Sequence, residues 1–214
     1  MRAVFPAAAV VTLLACRPAA APSVSVAASP PPAAPPFVDV SRAAPGVRLD
    51  MRYAAPDNFL HAAVYPCARC LLREPAAKAI AAAEVAAEAR GFHLLLWDCY
   101  RPPAVQKAMW AIEPDPRFVA DPAKGSVHNR GGAVDVSLTT ATGAAVTMPT
   151  KHDDFSVAAY ADAPASAEAA KNRATLRAVM SSAGFAVMPT EWWHFDYQGS
   201  RAWPIEDVPL CAGQ

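Results

Sequence analysis

The chain has 214 residues, with 19 basic and 19 acidic side chains and no formal net charge; nucleic-acid binders carry a basic excess or stripe, so nothing here recommends a polyanion as partner. Apolar residues make up 54%, swollen by alanine, and no run of about 18 apolar residues follows the N-terminus, which excludes a multi-span membrane protein. Setting the proline-rich N-terminal stretch aside leaves roughly 175 residues, enough for one domain with a sizeable core.

Met1-Arg2 and the apolar run to Ala15 have the charge and length of a secretory signal segment. The run ends Leu13-Leu14-Ala15-Cys16, which resembles the lipobox of bacterial lipoproteins. That resemblance implies a signal peptide over residues 1–15, a lipid on Cys16, and a membrane-anchored protein facing the periplasm or the cell exterior. More than one acyl chain on Cys16 would anchor it durably. Residues 16–36 then read as a linker. From Arg17 to Pro36 seven residues are proline and most of the rest Ala, Ser or Val. Such a segment is extended, with a reach of up to ~60 Å at ~3.1 Å per residue.

The folded domain is expected over residues 37–214. Asp39-Val40 and residues 47–53 alternate as short strands do. Asp57-Asn58-Phe59 is a turn, and residues 65–72 are irregular or extended. Residues 74–90 form a helix, with Pro75 in its first turn and Gly91 just beyond its end. Ile80 and Val85 are its largest apolar residues, so its packing is through alanine. Residues 92–97 are a buried strand that must stop by Arg101, before Pro102-Pro103, and a second helix covers residues 104–112. Residues 114–124 form a loop long enough to wall a cleft. Residues 133–138 are a strand with Val134, Val136 and Leu138 on one face and Asp135 on the other. Residues 146–148 return as a hairpin partner, residues 151–163 are an acidic loop, and residues 165–183 are a third helix. Residues 185–187 and 192–197 are closing strands. The mixture lacks a regular βαβ rhythm, which argues for an α+β fold: a small, mostly antiparallel sheet with helices packed around it.

Of the five histidines, His61 and His93 stand apart, and His152, on a loop beside two aspartates, is either solvated, as loop histidines usually are, or in touch with a substrate. His128 and His194 have polar company. The segment Gly125-Ser-Val-His-Asn-Arg-Gly-Gly-Ala-Val-Asp135 places His128 seven residues before Asp135, and Glu191-Trp192-Trp193-His194 lies far downstream. Two imidazoles and one carboxylate suit a zinc ion with a fourth position open for water. Glu191 would then manage that water's protons, provided a bend near Pro189-Thr190 turns it to the side of His194, since positions 191 and 194 oppose each other on a flat strand. Arg101, at a strand end, is the best cation for an oxyanion. Ser126 suits a substrate carboxylate, and Asp153 or Asp154 a substrate ammonium; by residue type alone a cap or turn role serves each as well. Four cysteines besides Cys16 (Cys67, Cys70, Cys99 and Cys211) suit one or two disulfides, of unreadable pairing. No second CxxC accompanies Cys67-x-x-Cys70 to make a zinc ribbon.

Ser126-x-His128-x-x-Gly131-x-Ala133-x-Asp135 followed by Glu191-x-Trp193-His194 resembles the signature of the zinc D,D-peptidases of the hedgehog/D-Ala-D-Ala peptidase fold. Trp97-Asp98-x-Tyr100-Arg101-Pro102 and the doubled tryptophan resemble, within that group, the D-alanyl-D-alanine dipeptidases, including the vancomycin-resistance dipeptidases. The likeness runs from about Val47 to Leu210. It implies one zinc ion on His128, Asp135 and His194, Glu191 as catalytic acid/base, Arg101 stabilising the transition state, Ser126 near the substrate and Asp153 near its free amine. The cysteine pair and the lipoprotein-like N-terminus depart from the pattern of the cytoplasmic resistance enzymes. The expected activity is hydrolysis of the small dipeptide D-Ala-D-Ala in cell-wall peptide turnover, with a lipid anchor and no evident protein partner. A D,D-carboxypeptidase or endopeptidase on peptidoglycan stems is the neighbouring alternative. A non-catalytic zinc-containing wall-binding lipoprotein is the alternative of another class, disfavoured because Glu191 and Arg101 are not needed to hold a metal.

Overall fold

The structure is a computed structural model, describing Met1 and residues 33–211. The chain divides into two units, Met1–Ala33 and Ala34–Gln214. The signal segment, Cys16 and nearly all of the linker lie outside the described residues. Among those described, no helix is long and apolar enough to cross a membrane.

The second unit runs β1 (Phe37–Asp39), α1 (Val40–Ala43), β2 (Arg48–Leu49), β3 (Leu71–Arg73), α2 (Glu74–Glu88), β4 (Phe92–Asp98), α3 (Pro103–Ile112), β5 (Ala133–Thr140), α4 (Ala167–Ser182), β6 (Phe185–Met188) and β7 (Glu191–Tyr197). Strands β2-β4-β5-β7-β6 make a five-stranded sheet, and β1 pairs with β3 in a small second one. Every pairing is antiparallel except β2 with β4. The α+β expectation holds.

The differences are local. Val40 does not extend a strand: the Asp39 side chain accepts from Ser41 N–H and caps α1. Residues 47–53 give only the two-residue β2, because a 3-10 turn begins at Arg52. The expected strand at residues 146–148 is absent; β5 meets this stretch at one bridge, Thr139 with Ala145, and its long pairings go to β4 and β7. On α2, Ala76, Ala77, Ile80, Ala83 and Ala87 are fully buried while Val85 is 65% exposed. Five residues at about 100° each turn Val85 roughly 140° away from Ile80, off the packed face.

Leu94 faces Leu138, Leu96 faces Val136 and Val134 faces Phe195 across the ladders, so these side chains form one apolar face of the sheet. All six are buried. The opposite face carries polar groups, and two irregularities shape it. A register shift between Leu96 and Asp98 lets Asp98 oppose Asp135, which in turn opposes His194. A bulge re-aims a side chain in this way. Asp98, Asp135 and His194 thus form a row across β4, β5 and β7.

Two disulfides brace the unit: Cys67–Cys211, 144 residues apart, and Cys70–Cys99, 29 apart. Neither closes the Cys67-x-x-Cys70 interval upon itself.

Candidate active site

His128 lies in a 3-10 turn, His128–Arg130, that ends at Gly131 with φ 67°. That left-handed backbone suits glycine, and a Cβ there would run into the Phe37 ring. The turn is tied to the segment after β4: Arg101 N–H donates to His128 O at 3.2 Å, and the Asn129 amide donates to Arg101 O at 2.7 Å. His128 Nδ1 lies 2.6 Å from Cys99 O, so the ring donates there and Nε2 presents its lone pair. His194 Nε2 lies 2.9 Å from Asp196 Oδ1, so that ring donates outward and Nδ1 faces inward.

Three inward atoms meet. His128 Nε2 is 3.1 Å from His194 Nδ1; Asp135 Oδ1 is 3.3 Å from the first and 3.1 Å from the second. All three residues are buried. With both rings neutral and their hydrogens committed outward, the three atoms turn lone pairs on one another, an arrangement that either a proton or a cation relieves. A divalent ion with four tetrahedral bonds of about 2.0–2.1 Å needs ligand atoms about 3.3–3.4 Å apart, close to this triangle. The outward bonds to Cys99 O and Asp196 are the kind of support that fixes a ligating imidazole's tautomer and orientation. The residues fit a metal ion.

Glu191 stands beside the triangle, its Oε2 3.8 Å from His194 Nδ1. Residues 189 and 190 form a turn, and the pairing of β6 with β7 shifts so that Met188 opposes Glu191 where a regular ladder would oppose it to His194. The intervening tryptophans absorb the shift, which brings Glu191 to the ligand side, as the bend requires. Burial pushes the Glu191 carboxyl up to about 8, against the pull of the His194 charge. Burial also opposes ionisation of Asp135, but the His128 charge and hydrogen bonds from His128, His152 and His194 hold it well below the usual carboxylate range. For His194 burial works against the charge, yet Asp135 and Asp196 lift its pKa to about 10. A proton on His194 and a metal ion therefore compete for one point.

Arg101 is buried, not a surface cation. Its Nε and Nη2 donate to Asp98 Oδ2 at 2.9 and 2.7 Å, and Nη1 to Gln106 Oε1 at 2.9 Å. Tyr65 OH at 2.6 Å and Cys99 N–H at 2.8 Å satisfy the other Asp98 oxygen. Of five guanidinium hydrogens three are committed this way, leaving two free to donate elsewhere. Ser126 Oγ accepts His128 N–H at 3.2 Å, so its turn role is real, and the residue also lines the cavity. Asp153, not its neighbour, accepts from Tyr53 OH and faces the same space. Burial raises the Asp153 carboxyl, partly offset by the charge on His152.

The cavity these groups enclose measures about 220 Å³. Its walls include Phe118, Val119 and Ala120 from the loop after α3, which was expected to wall a cleft, and Phe155 from the acidic loop after β5. His152 is not a solvated loop histidine, the first of its two readings: its side chain is 6% exposed and contacts Asp135 and Asp153. Asp98, Gln106, Tyr53 and Asp196 also escaped the sequence reading. Asp98 stands inside the Trp97-Asp98-x-Tyr100-Arg101-Pro102 motif without having been given a role there, and Asp196 lies two positions after His194 on the same strand face; those were the available signals.

A buried pair of imidazoles and a carboxylate with a further carboxylate alongside, in a small cavity on the polar face of an α+β sheet, defines a metal-dependent hydrolase. The chain belongs to the D-ala-D-ala dipeptidase family, a metallopeptidase family whose model matches residues 33–209. It is similar to the D-alanyl-D-alanine dipeptidase of Escherichia coli, at 35% identity over 170 residues, 79% of this chain and 88% of that one. The enzyme of the same name from Streptomyces coelicolor is 35% identical over 185 residues, covering 74% and 90% of the two chains. That from Enterococcus faecalis is 33% identical over 172 residues, covering 70% and 85%.

Proposed function

We propose that this protein hydrolyses free D-Ala-D-Ala to two D-alanines, with one zinc ion held by His128, Asp135 and His194. The observation that carries the reading is the triangle of three ligand atoms with Glu191 beside it and Asp153 and Arg101 lining the same cavity. When bound, zinc supplies Lewis acidity, acidifying a water and polarising the scissile carbonyl. Glu191 takes a proton from the attacking water and returns it to the leaving amine, a task helped by a carboxyl pKa tuned upward. Arg101, oriented by Asp98 and Gln106, offers its two uncommitted N–H groups to the oxyanion. Asp153 receives the substrate ammonium and Ser126 its terminal carboxylate. The cavity's 220 Å³ lies below the ~300–1,000 Å³ usual for drug-sized ligands, which favours a two-alanine substrate over a polymer stem.

The same reading places the enzyme outside the cytoplasm, tethered through lipid on Cys16 and the proline-rich linker, in turnover of wall peptides. Support comes from the lipobox-like sequence and from two disulfides, which persist in oxidising compartments.

The test compares free D-Ala-D-Ala with a pentapeptide ending in D-Ala-D-Ala, each with and without a chelator. Chelator-sensitive release of D-alanine from the dipeptide is expected; cleavage of the pentapeptide alone overturns the substrate. For the tether, Cys16→Ser should move the protein from the membrane to the soluble fraction, and an unchanged distribution removes the lipid.

A further inference from the structure

His152 sits where packing alone asks for any aromatic ring. Trp97, Trp193 and Tyr53 surround it, with ring centroids 4.9, 5.5 and 6.1 Å away. Yet both its nitrogens meet carboxylates: Nε2 is 3.2 Å from Asp135 Oδ2, and Nδ1 is 3.3 Å from Asp153 Oδ2. A benzene ring would fill the space and leave both carboxylates without that partner.

Its place in the site is specific. Asp135 turns Oδ1 toward His128 and His194, while Oδ2 is taken by His152 on one side, with Arg101 Nη2 at 3.8 Å. Holding Oδ2 settles which oxygen is left to a metal, so Asp135 offers one ligand atom instead of two. Asp153 is held from two directions, by His152 and by the Tyr53 hydroxyl 3.1 Å from each oxygen. Its backbone sits at φ 56°, a conformation that non-glycine residues keep where their surroundings enforce it.

We propose that His152 is a positioning residue: a bridge that fixes the metal-facing carboxylate of Asp135 and the amine-facing carboxylate of Asp153 in one geometry. Because one rigid ring touches both carboxylates, a shift at the amine end is felt at the metal end. The assignment rests on the metal reading above and, for Asp153, on the amine of the substrate.

Two variants test it. His152→Phe keeps the ring and removes both nitrogens; His152→Gln keeps a donor but not the ring. Cobalt(II) affinity and visible absorption are measured for each, with KM and kcat on free D-Ala-D-Ala. Loss of an outer hydrogen-bond partner costs a ligand about 10–100-fold in metal affinity, and that loss is expected for His152→Phe. A changed cobalt spectrum and a rise in KM larger than the fall in kcat should accompany it. His152→Gln should bind cobalt more tightly than His152→Phe, which simple damage to packing would not produce. A His152→Phe protein with wild-type cobalt affinity, spectrum and KM overturns the proposal, as does a His152→Gln protein weaker than His152→Phe. A wild-type protein that takes up no cobalt overturns the metal reading itself and this proposal with it. Cobalt uptake with no cleavage of the dipeptide removes the substrate reading, and the cobalt comparison between the variants still decides the bridge.

Discussion

Replacing Arg101 with methionine separates its structural work from its chemical work. The side chain keeps similar length and apolar bulk, but Asp98 Oδ2 loses donors at 2.9 and 2.7 Å. Asp98 is fully buried, so water cannot replace them. His128 Nδ1, 3.7 Å away, is already committed to Cys99 O. Removing one partner of a buried ion pair costs about 3–5 kcal/mol, because the remaining charge is left uncompensated. Chemical denaturation of Arg101→Met at neutral pH should show a loss of that size. Asp98→Asn in the same background should recover about 2 kcal/mol, since an amide carries no charge to strand, and the two changes then couple instead of adding. Turnover tells the other half: Arg101→Met should lose about 10²–10³ in kcat, the usual cost of one oxyanion donor, with metal content unchanged. A stability loss under 1 kcal/mol, or a double variant weaker than the sum of the singles, would refute the buried-pair argument.

Glu191→Gln should bind metal as the wild type does and lose activity by several orders of magnitude; retained turnover, measured as D-alanine release, removes Glu191 from the chemistry. The His194 pKa of about 10 sets a pH dependence for metal binding. Protonation of that ring stabilises the metal-free fold fully below about 6.5 and is lost as pH rises through about 10. Metal must displace the proton, so affinity should climb about tenfold per pH unit between 6 and 8, with one proton released per ion. Calorimetric titration in two buffers checks this, and a flat profile counts against the assignment. Replacing both Cys70 and Cys99 with alanine opens a 29-residue loop, and loop-closure entropy puts the cost at roughly 3.6 kcal/mol. The denaturation midpoint reads it, and an unmoved midpoint means that the bridge restrains nothing that the core does not already hold.

Local pattern carried far in this chain. Helix α2 announces itself through Pro75 and Gly91, α3 through Pro102-Pro103 and α4 through Gly184 just beyond its end, β4 through an apolar run of strand length and β5 through alternation. Their ends fall within two residues of expectation. The hairpin at residues 146–148 misled because three apolar-leaning residues match a strand pattern, while a ladder needs a partner in register; next to this stretch only the Thr139–Ala145 bridge forms. The alanine packing of α2 was legible, but not that Val85 turns outward while Ile80 is buried, because size says nothing about helix face.

The site divides along the same line. Types and spacings along single segments named His128, Asp135, Glu191 and His194, because a metal and its base demand particular donors that short motifs can hold. Their convergence depends on a register that opposes Asp135 to His194 and on a shift that turns Glu191 inward. Asp98 and His152 lie beyond such reading: the first faces the site through a bulge, and the second owes its role to carboxylates contributed by another strand and by its own neighbour. The sequence by itself determined which side chains can bind a metal and move a proton, since donor chemistry belongs to each residue. Which of them are buried, paired and pre-aimed was decided by the tertiary structure alone, since desolvation and hydrogen-bond geometry arise when distant segments pack.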